Sequence, residues 1–272
     1  MQRQCTVSYI LGNTYQNLRK LQSAHGGWDP GASYYGRQEK NDNLNLALAV
    51  GNILEQKGIP VIYTRTSDVY QTPFEKAEMA NRSDADFFVS FHRNAMPVPG
   101  TASGIESLVY ENTGAAAVLA RNINEELKGA GFADLGVIER PGLVVLKRTR
   151  MPAVLVEAGF IDNEADNRLF DQNFTAIAQA IADGIQKALE EEEAMKPEYY
   201  QIQTGAYRNQ ELATQQLTQL KSQGFPAFLV YEDGLYKVRV GAFLNLDHAV
   251  AMEKKLREYG YSTVMVKKAA VL

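Results

Sequence analysis

Near the C-terminal end of this chain a set of residues repeats at a fixed interval. Tyr200, Gly205, Ala206, Tyr207, Asn209, Ala213, Leu220, Gly224 and Phe225 recur 36 positions later as Tyr236, Gly241, Ala242, Phe243, Asn245, Ala249, Leu256, Gly260 and Tyr261. The register never slips, so the segment is two copies of one strand–helix–strand unit. Two such units joined give βαββαβ, a ferredoxin-like α+β arrangement with one four-stranded sheet and both helices on one face. The other face is left free to bind. Alternation in the first strand of each unit assigns the sides. Tyr200, Ile202, Thr204, Tyr236, Val238 and Val240 are expected in the core, whereas Tyr199, Gln201, Gln203, Leu235, Lys237 and Arg239 form the open platform.

Upstream the pattern changes. Apolar, β-rich stretches at 59–64, 87–92, 105–110 and 153–157 alternate with helical patterns at 42–57, 73–82, 114–129 and 164–188. Such alternation predicts an α/β domain, a mixed, mostly parallel sheet covered by helices on both faces. Residues 1–189 are assigned to it, with no element placed in 1–23. The acidic run that begins at Glu190 and ends near Pro197 is read as a helix end and linker over 190–198, leaving 199–272 for the repeat domain.

Composition removes several function classes. A formal charge of −4 gives no basis for nucleic acid as a partner. With Cys5 as the only cysteine, an intramolecular disulfide and a thiolate metal site are both excluded. Any metal must therefore use His and carboxylate. No segment reaches transmembrane length, and Thr6, Ser8, Gly12 and Asn13 interrupt the apolar run that a secretory signal needs. The chain is thus expected to be cytoplasmic until lysis, or exported by an unrecognised route.

Three histidines occur, and two stand in suggestive places. His25 precedes Gly26 and Gly27, then Asp29, Pro30 and Gly31, a turn-rich loop that offers a side chain outward. His92 closes the apolar run from Phe87 to Phe91, and the C-terminal end of a strand in an open α/β sheet is where ligands bind. Glu39, just ahead of a helix expected to begin near Asp42, is the candidate third ligand. Glu157 ends the strand from Ala153 to Val156 and is placed to accept a proton from water and pass it to a leaving amine. Taken singly, each has an ordinary reading as a structural histidine or a solvated carboxylate, and His248 in the second repeat keeps that reading. Together the four supply the inventory for metal-assisted amide hydrolysis: three ligands, an open position and a base.

The same residues resemble the signature of the zinc-dependent N-acetylmuramoyl-L-alanine amidases. The matching pieces are His25-Gly26-Gly27 with Asp29 to Ala32, Glu39 before Asn43 to Ala47, Ala80-Asn81 with Ala85-Asp86, Ser90 to Ala95, Gly104-Ile105-Glu106, and Met151 to Ile161. They span roughly residues 24–189. The resemblance implies that His25, Glu39 and His92 bind Zn2+, that Glu157 is catalytic, and that Arg93 and Asn94 contact substrate. It implies cleavage of the amide between the lactyl group of N-acetylmuramic acid and L-alanine in peptidoglycan. One departure stands out. Where the family carries an apolar strand into the His-Gly-Gly turn, this chain has Arg19-Lys20-Leu21-Gln22-Ser23-Ala24, and the nearest apolar candidate is Thr6 to Leu11.

The repeat segment, from about Tyr199 to Lys267, resembles a SPOR domain, which binds peptidoglycan glycan stripped of stem peptides. That resemblance implies Gln203, Leu235 and Lys237 as sugar contacts. Two alternatives stay open at this point: a wall-binding protein with an impaired hydrolase domain, and a zinc peptidase cutting within the stem peptide. A sporulation enzyme and a phage-derived lysin both fit the expected location.

Overall fold

The structure is a computed structural model that describes residues 19–83, 85–195 and 197–269. They fall into two compact units that divide between Glu192 and Glu193.

The first unit is built on a six-stranded sheet. Its elements run β1 (Arg19–Ser23), a small hairpin of β2 (Ser33–Tyr34) and β3 (Arg37–Gln38), α1 (Glu39–Gln56), β4 (Val61–Tyr63), α2 (Pro73–Asn81) and β5 (Phe87–Asn94). There follow β6 (Ile105–Val109), α3 (Gly114–Gly129), β7 (Asp134–Glu139), α4 (Val144–Arg148), β8 (Ala153–Phe160), α5 (Glu164–Gln172) and α6 (Phe174–Met195). The strand order is β4-β1-β5-β8-β6-β7. All neighbours are parallel except β6 and β8, so the sheet is mixed and mostly parallel.

Side-chain alternation on β5 shows how both faces are covered. Phe87, Val89 and Phe91 join Leu21, Val154 and Val156 in one core, closed by Leu46, Val50 and Leu54 of α1, Leu119 and Ile123 of α3, and Ile177, Ile181 and Ile185 of α6. Phe88 faces the other way and packs with Leu155, Ala80 of α2 and Val145 and Leu146 of α4. A strand buried on both faces reads as a continuous apolar run, which is why 87–92 was legible.

The approach to His25 corrects the reading of residues 1–23. Arg19–Ser23 is itself a central strand, paired in parallel with β4 on one side and β5 on the other. Leu21 enters the core, while Lys20, 3% exposed, donates from Nζ to the Met79 carbonyl at 2.9 Å. Gln22 is buried and accepts from the Ser90 hydroxyl. Polar side chains are tolerated inside because partners from α2 and β5 satisfy them. The apolar stretch Thr6 to Leu11 lies outside the described residues.

Two helix boundaries also differ. The pattern expected as one helix over 164–188 breaks at Asn173, whose N–H closes α5 on Leu169 O (2.9 Å) and whose carbonyl opens α6 by accepting from Ile177 N (2.8 Å). The acidic run, read as a helix end and linker over 190–198, is helical as far as Met195, so the helix continues past the 188 expected for it.

The second unit follows the repeat. Its elements are β9 (Glu198–Tyr207), α7 (Gln210–Ser222), β10 (Ala227–Glu232), β11 (Leu235–Phe243), α8 (Leu246–Glu258) and β12 (Val264–Ala269), with an antiparallel order β10-β11-β9-β12. Several of the repeated residues have a physical job. Ala213 and Ala249, like Leu220 and Leu256, are fully buried under the sheet. Asn209 and Asn245 cap α7 and α8, their side chains accepting from Glu211 N and Asp247 N. A Cβ at Gly205 or Gly241 would strike the ring of Tyr207 or Phe243, which folds back over it.

Candidate metal centre

β1, β5 and β8 lie side by side, and His25 just beyond β1 meets His92 and Glu157, which do not end their strands as expected but sit inside β5 and β8, two and three residues before Asn94 and Phe160. His25 comes two residues after β1, in a turn pinned by mutual backbone bonds between Gly26 and Asp29 (3.0 and 3.1 Å). It sits at φ 56°, a left-handed conformation that side chains adopt only when their surroundings enforce it. His92 and Glu157 are cross-strand partners on β5 and β8, and Glu157 also pairs with Glu106 on β6.

Glu39 arrives by a different route from the one expected. It is the first residue of α1 itself, returned to the turn by the β2–β3 hairpin. One carboxylate oxygen lies 3.2 Å from His25 Nε2 and the other 3.0 Å from His92 Nδ1. The carboxylate is further held by Ala32 N (2.9 Å), Asn43 Nδ2 (3.0 Å) and Arg93 N (3.2 Å). Gly31 is required for this closeness: a Cβ there would lie 2.5 Å from Glu39 Oε2 and 2.6 Å from His25 Cδ2.

Three donor atoms, one each from His25, Glu39 and His92, lie within 4.8 Å of one another. A tetrahedral zinc with bonds of about 2.0–2.1 Å spaces its ligand atoms roughly 3.4 Å apart, and two imidazoles with one carboxylate at this spacing are a donor set that could hold such an ion. Asp29 completes the arrangement. Its Oδ2 lies 2.8 Å from His25 Nδ1, and its Oδ1 accepts from Gly31 N at 3.0 Å. With the proton on Nδ1, His25 keeps the Nε2 lone pair for a metal. The sequence pattern places Asp29 only in the turn, although a carboxylate four residues after the histidine is the available signal.

The electrostatics match a site built for a cation. Burial disfavours the charged form of Glu39, but hydrogen bonds and attraction from both histidines outweigh it and hold the carboxyl far below its ordinary range. Burial lowers His92, Glu39 pulling only partly the other way, whereas for His25 the two carboxylates overcome burial and raise it. Glu157 is pushed well above the usual carboxylate range, first by burial, then by Glu39 and Glu106. Its Oε2 is shielded from solvent and has no hydrogen-bond partner among the described residues.

Arg93 requires a correction. Expected at the substrate, its guanidinium is instead buried, donating to Asp42 (2.7 Å), Asn167 (2.8 Å) and the carbonyls of Gly159 and Phe160, with the Phe170 ring 4.1 Å away. It ties α1, β8 and α5 together. Asn94 is partly exposed, its amide donating to Glu106 Oε1 (2.9 Å) and its oxygen accepting from Ala95 N (2.8 Å).

Residues 21–187 match the family model described as N-acetylmuramoyl-L-alanine amidase. The chain belongs to that amidase family. Residues 196–268 of the amidase match the SPOR domain. It is similar to the sporulation-specific N-acetylmuramoyl-L-alanine amidase of Bacillus subtilis, 33% identical over 78% of this chain and 84% of that one. The endolysin of Bacillus phage SPP1 is 36% identical over 62% of this chain and 65% of its own. Among solved structures, the catalytic domain of CwlV from Bacillus (Paenibacillus) polymyxa superposes with a TM-score of 0.60 and 31% identity, covering 64% of this chain and 98% of that one. This amidase is accordingly a peptidoglycan hydrolase that acts on the cell wall, with a peptidoglycan-binding SPOR unit at its C-terminal side. No helix among the described residues is long and apolar enough to cross a membrane.

On the SPOR sheet, Gln203, Leu235 and Lys237 are all partly exposed. Lys237 pairs with Asp233 (2.6 Å) and Glu232 (3.4 Å). Arg239, expected on the open platform, is 3% exposed and held by Glu232 and Gln201. Its neighbours Val238 and Val240 are core residues, so Arg239 does point to the expected side, and its bonds to Glu232 and Gln201 rather than a change of face take it out of solvent.

Proposed function

We propose that this amidase is zinc-dependent, with His25, Glu39 and His92 as ligands and Glu157 as the proton carrier in cleaving the bond between the lactyl carbonyl of N-acetylmuramic acid and the amine of L-alanine. The observation that carries this reading is the convergence of three donors within 4.8 Å beside a carboxylate whose Oε2 is shielded and unpartnered. When bound, zinc polarises the carbonyl and acidifies water, and its charge draws Glu157 back toward ionisation. Asp29 orients His25 so that Nε2 faces the ion. Glu157 takes a proton from the attacking water and delivers it to the departing nitrogen, so that the C–N bond breaks and a carboxylate and an amine result. Asn94, oriented by Glu106, is the substrate contact retained at the rim, and Arg93 acts behind the ligands. In the SPOR unit, Gln203, Leu235 and Lys237 are assigned to glycan stripped of stem peptides.

The irregular approach that motivated an impaired hydrolase is explained by β1, which runs directly to the His25 turn. The test compares zinc content and amine release from purified peptidoglycan for the wild type and Glu157→Ala. One zinc per chain in both, with release lowered by about 10²-fold or more in the variant, is expected. Equal release would remove Glu157 from its role. Mass spectrometry of the products decides the bond, because a cut inside the stem peptide leaves L-alanine still attached to the sugar.

A further inference from the structure

The turn that carries His25 also carries the chain's single tryptophan. Trp28 lies between Gly27 and Asp29, the residue bonded to His25, and is 76% exposed. An indole so open is unusual at a point where the backbone is so firmly held. Gly27 N donates to Asp68 at 2.8 Å, and Lys40 Nζ clamps both the Gly27 carbonyl and Asp68 at 2.7 Å. The turn also packs on Tyr70, since a Cβ at Gly27 would lie 2.8 Å from Tyr70 N. The Tyr70 ring backs the indole, with centroids 4.3 Å apart and planes inclined by 34°. One indole face is thus supported by protein and the rest is offered to solvent on a rigid mount.

We propose that Trp28, backed by Tyr70, is a carbohydrate-stacking subsite that seats the pyranose ring of the N-acetylmuramoyl group beside the metal centre. The inference rests on the amidase reading above. The scissile amide joins two chemically unlike halves, a stem peptide with ionisable groups and a sugar whose axial C–H bonds form an apolar face. An aromatic plate without a charged group of its own suits the second half. Preorganisation strengthens the case, because a ring already immobilised loses little entropy when it is covered. Position fits as well: Trp28 is three residues from a ligand, as a sugar joined to the scissile carbonyl through a lactyl arm requires.

The single tryptophan makes the subsite directly observable, since its emission reports on the amidase unit and is silent about the SPOR unit. The full chain carrying Glu157→Gln is titrated with N-acetylmuramoyl-L-alanyl-D-isoglutamine and, separately, with D-lactoyl-L-alanyl-D-isoglutamine, which lacks the pyranose. A saturable change in emission with the first probe and none with the second is expected. In the active chain, Trp28→Ala should raise KM about 10-fold on sugar-bearing substrate with kcat and zinc content retained, while Trp28→Phe stays within about three-fold of wild type. The proposal is overturned if emission ignores the sugar-bearing probe, if both probes change it equally, or if Trp28→Ala leaves KM unmoved. Failure of the wild type to hydrolyse any muropeptide would instead sink the amidase reading, and the emission titration would still decide the stacking.

Discussion

Asp29 shows how a residue outside the proposed ligand set can control it. Its Oδ2 faces His25 Nδ1 at 2.8 Å, and its Oδ1 caps Gly31 N. Asn at this position preserves the cap but offers a neutral partner, which weakens the preference for the Nδ1–H tautomer and the basicity of Nε2. Asp29→Asn should therefore lower zinc affinity by about 10–100-fold, measured by competition with a chromogenic chelator, with most of kcat recovered at saturating zinc. Unchanged affinity would show that the tautomer is set elsewhere. At this scale the convergence of His25, Glu39 and His92 is legible because each stands in a distinctive local motif: a glycine turn, the start of a helix, the end of an apolar run. Arg93 was misplaced for a physical reason. An arginine next to a candidate ligand reads as a solvent-facing cation, and only the tertiary fold brings Asp42 of α1 and Asn167 and Phe170 of α5 around it.

Elements were legible where burial and pattern agree. The doubly buried β5 is a continuous apolar run, and the repeat encodes its own caps and core positions. By contrast, β1 was hidden because Lys20 and Gln22 are polar residues in a central strand, and their acceptor and donor lie at Met79 and Ser90, far away in sequence. This account predicts an asymmetry. Gln22→Leu alone leaves the buried Ser90 hydroxyl without its partner and should destabilise the chain by about 1–3 kcal/mol. Gln22→Leu combined with Ser90→Ala removes both polar groups and should recover more than half of that loss in thermal unfolding. If the double variant melts as low as the single one, hydrogen bonding is not what allows β1 its polar face.

At the scale of the whole molecule, each unit has a core of its own, one around Leu21, Phe87 and Ile181, the other around Ile202, Leu220 and Leu256. The catalytic residues proposed above all belong to the first. A second unit that binds peptidoglycan raises the local concentration of substrate around the first without touching its chemistry, so its contribution should depend on whether the substrate is a continuous polymer. A chain ending at Met195 is expected to keep kcat/KM on soluble muropeptides within about two-fold, because the metal centre and its supporting strands are intact. On intact peptidoglycan the same truncation should slow amine release by about 10- to 100-fold at low enzyme concentration, with the deficit shrinking as enzyme is raised. Equal losses on both substrates would mean that the C-terminal unit supports the catalytic fold itself, and a lower melting temperature of the truncated chain would then accompany them.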